Sequence, residues 1–139
     1  IPEIDTLTAK LVERVILCSG KVYYDLLEQR RSRKLDKIAI VRIEQLHPFP
    51  REQLAGELKR YRQAKSVVWC QEEPQNQGAW YQIQHHLRAC MLPNQTLGYA
   101  GRAASASPAV GHFGLHLEQQ KTLVNDALST TAKRKRPTK

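Results

Sequence analysis

Four short apolar runs punctuate the sequence at wide spacing: Val15-Ile16-Leu17-Cys18, Ile38-Ala39-Ile40-Val41, Val67-Val68-Trp69-Cys70 and Thr96-Leu97-Gly98-Tyr99-Ala100. The first three are rich in β-branched residues and do not alternate with polar ones. Runs of that kind suit strands buried on both faces, as in a parallel sheet covered by helices. Gly98 makes the fourth a weaker strand.

Helical patterns fill the intervals. Val22, Leu26 and Arg30 recur every fourth position after the first run, with Tyr23 and Leu27 beside them. Leu54, Leu58 and Tyr61 follow the second run, Trp80, Ile83 and Leu87 the third, and Leu117, Val124 and Leu128 the fourth. Each stripe can cover a sheet while the opposite side stays wet. Pro50 is placed to open the second helix. His47 and Phe49, each before a proline, favour extended backbone. Gly111 and Gly114 set the start of the last helix near Leu115. Strand–helix alternation at about 25–30 residues per unit predicts a three-layer α/β/α sandwich with right-handed crossovers. Residues around Ile1–Ile4 can add an edge strand. The length of 139 residues is one domain's worth, expected as a domain over 1–130 and a disordered basic tail over 131–139.

Composition narrows the class. Apolar residues make up 41% and charged ones 25%, which excludes wholesale disorder, a collagen-like repeat and a disulfide miniprotein. No apolar run approaches the roughly 18–20 residues of a membrane-spanning helix, and no signal-peptide pattern opens the chain. The chain begins at Ile1 and its one methionine is Met91, so a piece of something longer is expected. Cys18, Cys70 and Cys90 are odd in number and far apart, two of them inside apolar runs, and read as buried reduced thiols. Of the net charge of +9, five charges come from Lys133, Arg134, Lys135, Arg136 and Lys139, which leaves +4 for the rest. No aromatic-rich basic stripe or zinc finger accompanies that charge, which disfavours a nucleic-acid partner.

In an open α/β sheet, ligands gather at the carboxyl ends of the strands. Three loops there have unusual composition. Cys18-Ser19-Gly20-Lys21 offers helix N–H groups and a cation to an anion, and Arg42 leaves the neighbouring run at the same edge. The loop lacks P-loop spacing. The second loop runs from Gln71 through Glu72 and Glu73 to Trp80. Its adjacent carboxylates point to opposite sides of an extended segment and make a poor acid/base pair. One is expected to bind an Arg or a backbone N–H, the other to line an interface. Asn76 and Gln77 can cap the next helix, and Gly78 allows close approach. The third loop, Gly101 to Gly111, combines small residues with Arg102, a charge partner for Glu72 or Glu73, and holds Ser105 and Ser107. The residues leave open whether it binds an anion or another chain. The five histidines form no set: His85 and His86 are neighbours on a helix and face different directions, and no metal or catalytic site is expected.

These motifs carry a resemblance. Ser19-Gly20-Lys21-Val22-Tyr23-Tyr24-Asp25-Leu26, Ile40-Val41-Arg42-Ile43-Glu44-Gln45-Leu46-His47-Pro48-Phe49-Pro50, Gln71-Glu72-Glu73-Pro74 with Asn76-Gln77-Gly78-Ala79-Trp80, Gly101-Arg102 with Ser105-Ala106-Ser107-Pro108-Ala109, and Leu123-Val124-Asn125-Asp126-Ala127-Leu128 stand in this order. Together they resemble the C-terminal domain of the decarboxylating first component of the 2-oxoglutarate dehydrogenase family. The resemblance runs from Ile1 to about Leu128. It implies a transketolase-like α/β/α sandwich on a mostly parallel five-stranded sheet with one antiparallel edge strand. It also implies a homodimeric parent enzyme of the tricarboxylic acid cycle, cytoplasmic in bacteria and in the mitochondrial matrix of eukaryotes. That enzyme uses thiamine diphosphate and magnesium, held by domains outside this chain, and works in a multienzyme complex with dihydrolipoyl succinyltransferase and dihydrolipoyl dehydrogenase. No membrane partner is implied. No catalytic or cofactor-binding residue is carried over, and this segment is expected to be inactive alone. It is expected to support the dimer and to hold an anionic effector at Lys21 and Arg42, with Glu72, Glu73, Asn76, Gln77, Trp80, Arg102, Ser105 and Ser107 in interface or structural loops. A 2-oxoadipate-specific relative and a stand-alone anion-binding regulatory module are the alternatives.

Overall fold

The computed structural model describes residues 1–103 and 113–129, the backbone alone at 113–116. Ser105, Ser107 and the expected tail fall outside the described residues. The elements alternate strand and helix throughout: β1 (Arg14–Cys18), α1 (Val22–Ser32), β2 (Ile38–Arg42), α2 (Arg51–Arg60), β3 (Ser66–Pro74), α3 (Trp80–Cys90), β4 (Thr96–Arg102) and α4 (Phe113–Leu128). The strands lie in the order β2-β1-β3-β4, every neighbouring pair parallel.

Period-two alternation along each buried strand divides the core in two. Val15, Leu17, Ala39, Val41, Val67 and Trp69 face α2 and α3, through Leu54, Leu58, Trp80, Ile83 and Leu87. Their neighbours Ile16, Cys18, Ile38, Ile40, Val68 and Cys70 face α1 and α4, through Val22, Leu26, Leu123, Val124 and Ala127. The three-layer sandwich follows. Steps in one direction along the sheet (β2 to β3, β3 to β4) pass over the first face, and the reverse step (β1 to β2) passes over the second. All three crossovers therefore have one hand.

Three details differ from the sequence reading. The last helix begins at Phe113 and takes Gly114 into its first turn. Leu117 is 48% exposed, because it sits in a groove between α1 and α4, beside Asp25, Glu28 and Gln120, away from the sheet. The sheet has four strands among the described residues, not five, and none is antiparallel. The N-terminal segment does run antiparallel beside β2. Ile1 exchanges both backbone hydrogen bonds with Arg42, at 2.7 and 2.9 Å, as a hydrogen-bonded antiparallel pair does. Pro2 has no N–H to give. At the next pairing position the Glu3 carboxylate, not its backbone, takes the Ile40 N–H at 2.7 Å. The ladder therefore stops after one residue pair.

Glu3 is held there by charge. Its carboxylate receives two bonds from the Arg30 guanidinium, both side chains being 2% exposed. Arg30 also donates to Asp5 at 2.5 Å and to the Ile38 carbonyl at 3.0 Å. Arg30, read from its spacing as part of an apolar stripe, is thus a buried cation supplied with acids by the N-terminal segment. The three cysteines are buried free thiols, and burial pushes the Cys18 thiol up to about 12.

Candidate functional site

The strand order reverses between β1 and β3, so their carboxyl ends flank the crevice where an open α/β sheet gathers ligands. Gly20 turns the chain out of β1 with φ +83°, a left-handed conformation that glycine adopts without strain. Lys21 then stands at the N-terminus of α1. Across the crevice, the register of β3 against β4 is interrupted between Cys70 and Pro74, and this irregularity carries Gln71, Glu72 and Glu73.

Lys21 and Glu72 meet there. Lys21 Nζ lies 2.7 Å from Glu72 Oε1, and that hydrogen bond raises the Lys21 pKa. Gln120 of α4 donates to the same Glu72 oxygen at 3.2 Å and to Asp25 Oδ2 at 2.8 Å. Arg102, at the end of β4, donates to the Glu72 carbonyl, to Gln119 at 3.0 Å and to Gln120 at 3.0 Å. Glu72 thus draws its charge partner from Lys21, while Arg102 reaches its backbone. Glu73 is exposed. Arg42 does leave β2 at the adjacent strand end, but it pairs with Glu44, bonds Tyr24 Oη at 3.3 Å, and lies over the rings of Tyr23 and Tyr24. Lys21 and Arg42 share an edge, each with its own carboxylate. An incoming anion there has to compete with Glu72 and Glu44.

The residue that organises this end is Gln71, 2% exposed. Its Oε1 accepts from Trp69 Nε1 at 2.8 Å and from the Trp80 N–H at 3.2 Å. Its Nε2 donates to the carbonyls of Glu73 and Pro74 at 3.0 and 2.9 Å. All its hydrogen-bonding capacity is used in closing the loop from β3 to α3. Ala79 occupies the N-cap position of α3 without a side-chain bond of its own, and Gln71 takes the Trp80 N–H. Gly78 is required by the same side chain, since a Cβ there would stand 2.6 Å from the Gln71 amide. At Gly101 a Cβ would stand 2.8 Å from the Gln71 carbonyl oxygen. Trp80, 7% exposed, packs on Tyr99 with ring centroids 5.1 Å apart.

His85 and His86 lie together, contrary to expectation, with ring centroids 4.0 Å apart. His86 stacks on Phe49 at 4.8 Å and accepts from Arg51 Nε at 2.9 Å. Desolvation, then His85 and Arg51, lower its pKa. No group of three or more His, Cys, Asp or Glu side chains among the described residues is placed to hold a metal. No helix among them is long and apolar enough to cross a membrane.

The chain as a whole is similar to known proteins. The family described as 2-oxoglutarate dehydrogenase C-terminal matches residues 1–128. Proteins named "2-oxoglutarate dehydrogenase E1 component" are similar to the chain at 57% identity in Haemophilus influenzae, 56% in Coxiella burnetii and 54% in Cupriavidus necator. The alignments take in 93%, 92% and 93% of this chain, and the chain spans 14% of each relative's length. Among solved structures, one titled "Split gene transketolase, inactive beta4 tetramer" has a TM-score of 0.59 at 17% identity, over 88% of this chain and 41% of that one. That likeness concerns the fold, a transketolase-like α/β sandwich. Over residues 1–128, from the N-terminal segment through the end of α4, the chain belongs to the 2-oxoglutarate dehydrogenase C-terminal family.

Proposed function

We propose that this chain is the C-terminal segment of a decarboxylating first component of 2-oxoglutarate dehydrogenase, and that within that enzyme it is a structural support rather than a catalytic unit. The observation that carries the reading is identity above half to the named relatives over more than nine-tenths of the chain. The parent enzyme decarboxylates 2-oxoglutarate and succinylates the lipoyl arm of dihydrolipoyl succinyltransferase, in a complex with dihydrolipoyl dehydrogenase. When bound, thiamine diphosphate supplies the ylid and electron sink for that decarboxylation. This segment's residues do not fit the cofactor. At the crevice between β1 and β3 Lys21 and Gln120 are both bonded to the Glu72 carboxylate, so a diphosphate there would meet a carboxylate, and the described residues offer no carboxylate cluster for magnesium. These observations support placing both groups in the rest of the parent. The loop from β3 to α3, tied together by Gln71 and reached by Arg102 at the Glu72 carbonyl, offers a surface suited to bracing a homodimer.

Calorimetric titration of the isolated chain with thiamine diphosphate and magnesium is expected to give no binding; micromolar binding would overturn the assignment of the cofactor elsewhere. In the full-length protein, decarboxylation assayed with 2-oxoglutarate and 2-oxoadipate side by side is expected to favour the former. Sedimentation of a full-length protein lacking this segment should show loss of the dimer; an intact dimer would remove the bracing role.

A further inference from the structure

At the amino ends of the strands the charge pattern is the reverse of that in the crevice. Lys10 of the 3-10 turn Ala9–Leu11, Lys59 at the end of α2, Arg62 just beyond it and Lys65 before β3 are all exposed. Among the described residues none of the four has a hydrogen bond or ion pair through its side chain. Two adjoining grooves open here, of about 360 and 580 Å³. The first is lined by Ala9, Lys10, Lys59, Arg60, Arg62 and Gln63, and the second shares Lys59, Arg62 and Gln63 and continues over Leu92, Pro93 and Asn94. No acidic residue lines either groove. The nearest acid in sequence, Glu57, is turned to Arg60 at 3.7 Å. The carbonyls at the end of α2 favour the charges of Lys59 and Arg60, but they give no reason for Lys10, Arg62 and Lys65.

The grooves are built rather than incidental. Gln95, 7% exposed, accepts from the Leu92 N–H at 2.9 Å and donates to the Ala64 carbonyl at 3.1 Å. Asn94 donates to the Arg62 carbonyl at 3.2 Å. The loop after α3 is thereby tied to the segment after α2, and the floor between the cations is fixed before anything binds.

We propose that this amino-end face docks an acidic segment of another protein chain. Charge complementarity selects an anion. Lys10, Lys59 and Arg62 are strung along two adjoining grooves rather than converging on one point, with Lys65 exposed three residues beyond Arg62, which favours an extended chain over a small metabolite. Leu92 and Pro93 in the floor, and Leu11, 56% exposed on the turn of Lys10, offer apolar contacts that a peptide with a hydrophobic anchor can use. The groove lining contains no aromatic ring on which a base could stack, so a nucleic acid is the less suited polyanion.

The test uses the full-length protein and a short fluorescent polyglutamate peptide with a central leucine, titrated at low salt. One variant carries Lys10→Glu, Lys59→Glu, Arg62→Glu and Lys65→Glu. A control of equal charge change carries Arg33→Glu, Lys34→Glu, Lys37→Glu and Arg88→Glu. The amino-end set is expected to weaken binding about tenfold or more, and the control by less than about threefold. The corresponding four Gln substitutions should give an intermediate loss with the fold intact by circular dichroism. Equal losses in the two sets overturn the proposal, because net charge alone then explains the binding. So does an oligonucleotide that binds the unaltered protein more tightly than the peptide does and loses its binding in the amino-end set alone, since the face would then read nucleic acid.

Discussion

The two ends of one sheet handle their cations in opposite ways. At the carboxyl ends Lys21 is answered by Glu72 and Arg42 by Glu44, and on the flank of α1 the buried Arg30 is answered by Glu3 and Asp5. At the amino ends beneath α2, Lys10, Lys59, Arg62 and Lys65 face water without acids. The residues 1–129 hold all 13 acidic side chains and carry a net +4. Four cations of that net charge share the amino-end face beneath α2, whereas Lys37 at the same end of the sheet is paired with Glu13 at 3.8 Å. A matched cation has become part of the fold, and its removal should register in stability. An unmatched one is available to something outside, and its removal should register in binding.

The comparison breaks most visibly at Arg30. Arg30→Met strands the Glu3 carboxylate, itself 2% exposed, and the loss of one partner of a buried pair costs about 3–5 kcal/mol. Urea denaturation should show it, and adding Glu3→Gln should recover part of the loss. If the single change leaves the midpoint where it was, the network is ornamental and the N-terminal segment is held by other means. Trp80→Ala, which empties a buried site against Tyr99, should cost a similar ~3–5 kcal/mol. A midpoint equal to that of the unaltered chain would mean that the α3 stripe does not pack as described.

Next in size is Gln71. Gln71→Leu keeps the volume but leaves the Trp69 indole N–H and the Trp80 amide without their acceptor inside the core. Buried donors left unmet cost about 1–3 kcal/mol. The change should also loosen the loop from β3 to α3, read as faster amide exchange at Trp80 with β1 unaffected. Uniform exchange across both would show that the carboxyl-end loops are not organised by this side chain.

That distinction marks what the sequence could and could not disclose. The strands were legible because Val15–Cys18, Ile38–Val41 and Val67–Cys70 are apolar at every position, which only a two-sided core requires, and both layers of that core exist. The resemblance named the family for the same reason that it could not place the charges. Motif order survives in the sequence, whereas Lys21 and Glu72 lie 51 residues apart and meet only because β1 and β3 are neighbours. Gln71 looked like an ordinary polar residue after an apolar run, since its four partners are set by a strand irregularity and by the approach of α3. Arg30 fell on an apolar stripe with no sign that Glu3 and Asp5 would come to it. The edge strand expected around Ile1–Ile4 stops after one residue pair on chemistry visible only in place, a proline and a carboxylate where backbone N–H and C=O groups had to pair.

A smaller effect is a pH dependence that belongs to the matched side. The hydrogen bond from Arg31, aided by Arg30 against an opposing desolvation, lowers the Asp5 carboxyl to about 2. The folded value is depressed below the ordinary 3.8, so the stabilisation is fully present above the unfolded value and is lost as the pH falls from there toward 2. Acid titration of stability should therefore slope in that window, and Asp5→Asn should flatten it. An unchanged slope would assign the acid sensitivity to other carboxylates.

The smallest effects sharpen the comparison most. Lys21→Ala removes an exposed partner, its side chain 79% accessible, and such pairs contribute about 0–1 kcal/mol. A slight downward shift of the midpoint is expected, because Glu72 keeps Gln120 as a second donor. Arg62→Glu should behave differently in sign. It replaces a cation among cations beyond the end of α2, so repulsion along the grooves falls and the midpoint should stay level or rise a little, most clearly at low salt, where exposed charges are least screened. At Lys59 the same change also loses a favourable charge at the helix C-terminus, which offsets that gain. Both variants should lose the acidic peptide, whereas Lys21→Ala should keep it. If Arg62→Glu instead lowers stability as much as Gln71→Leu does, that arginine is already satisfied within the fold, and the two ends of the sheet differ in degree but not in kind.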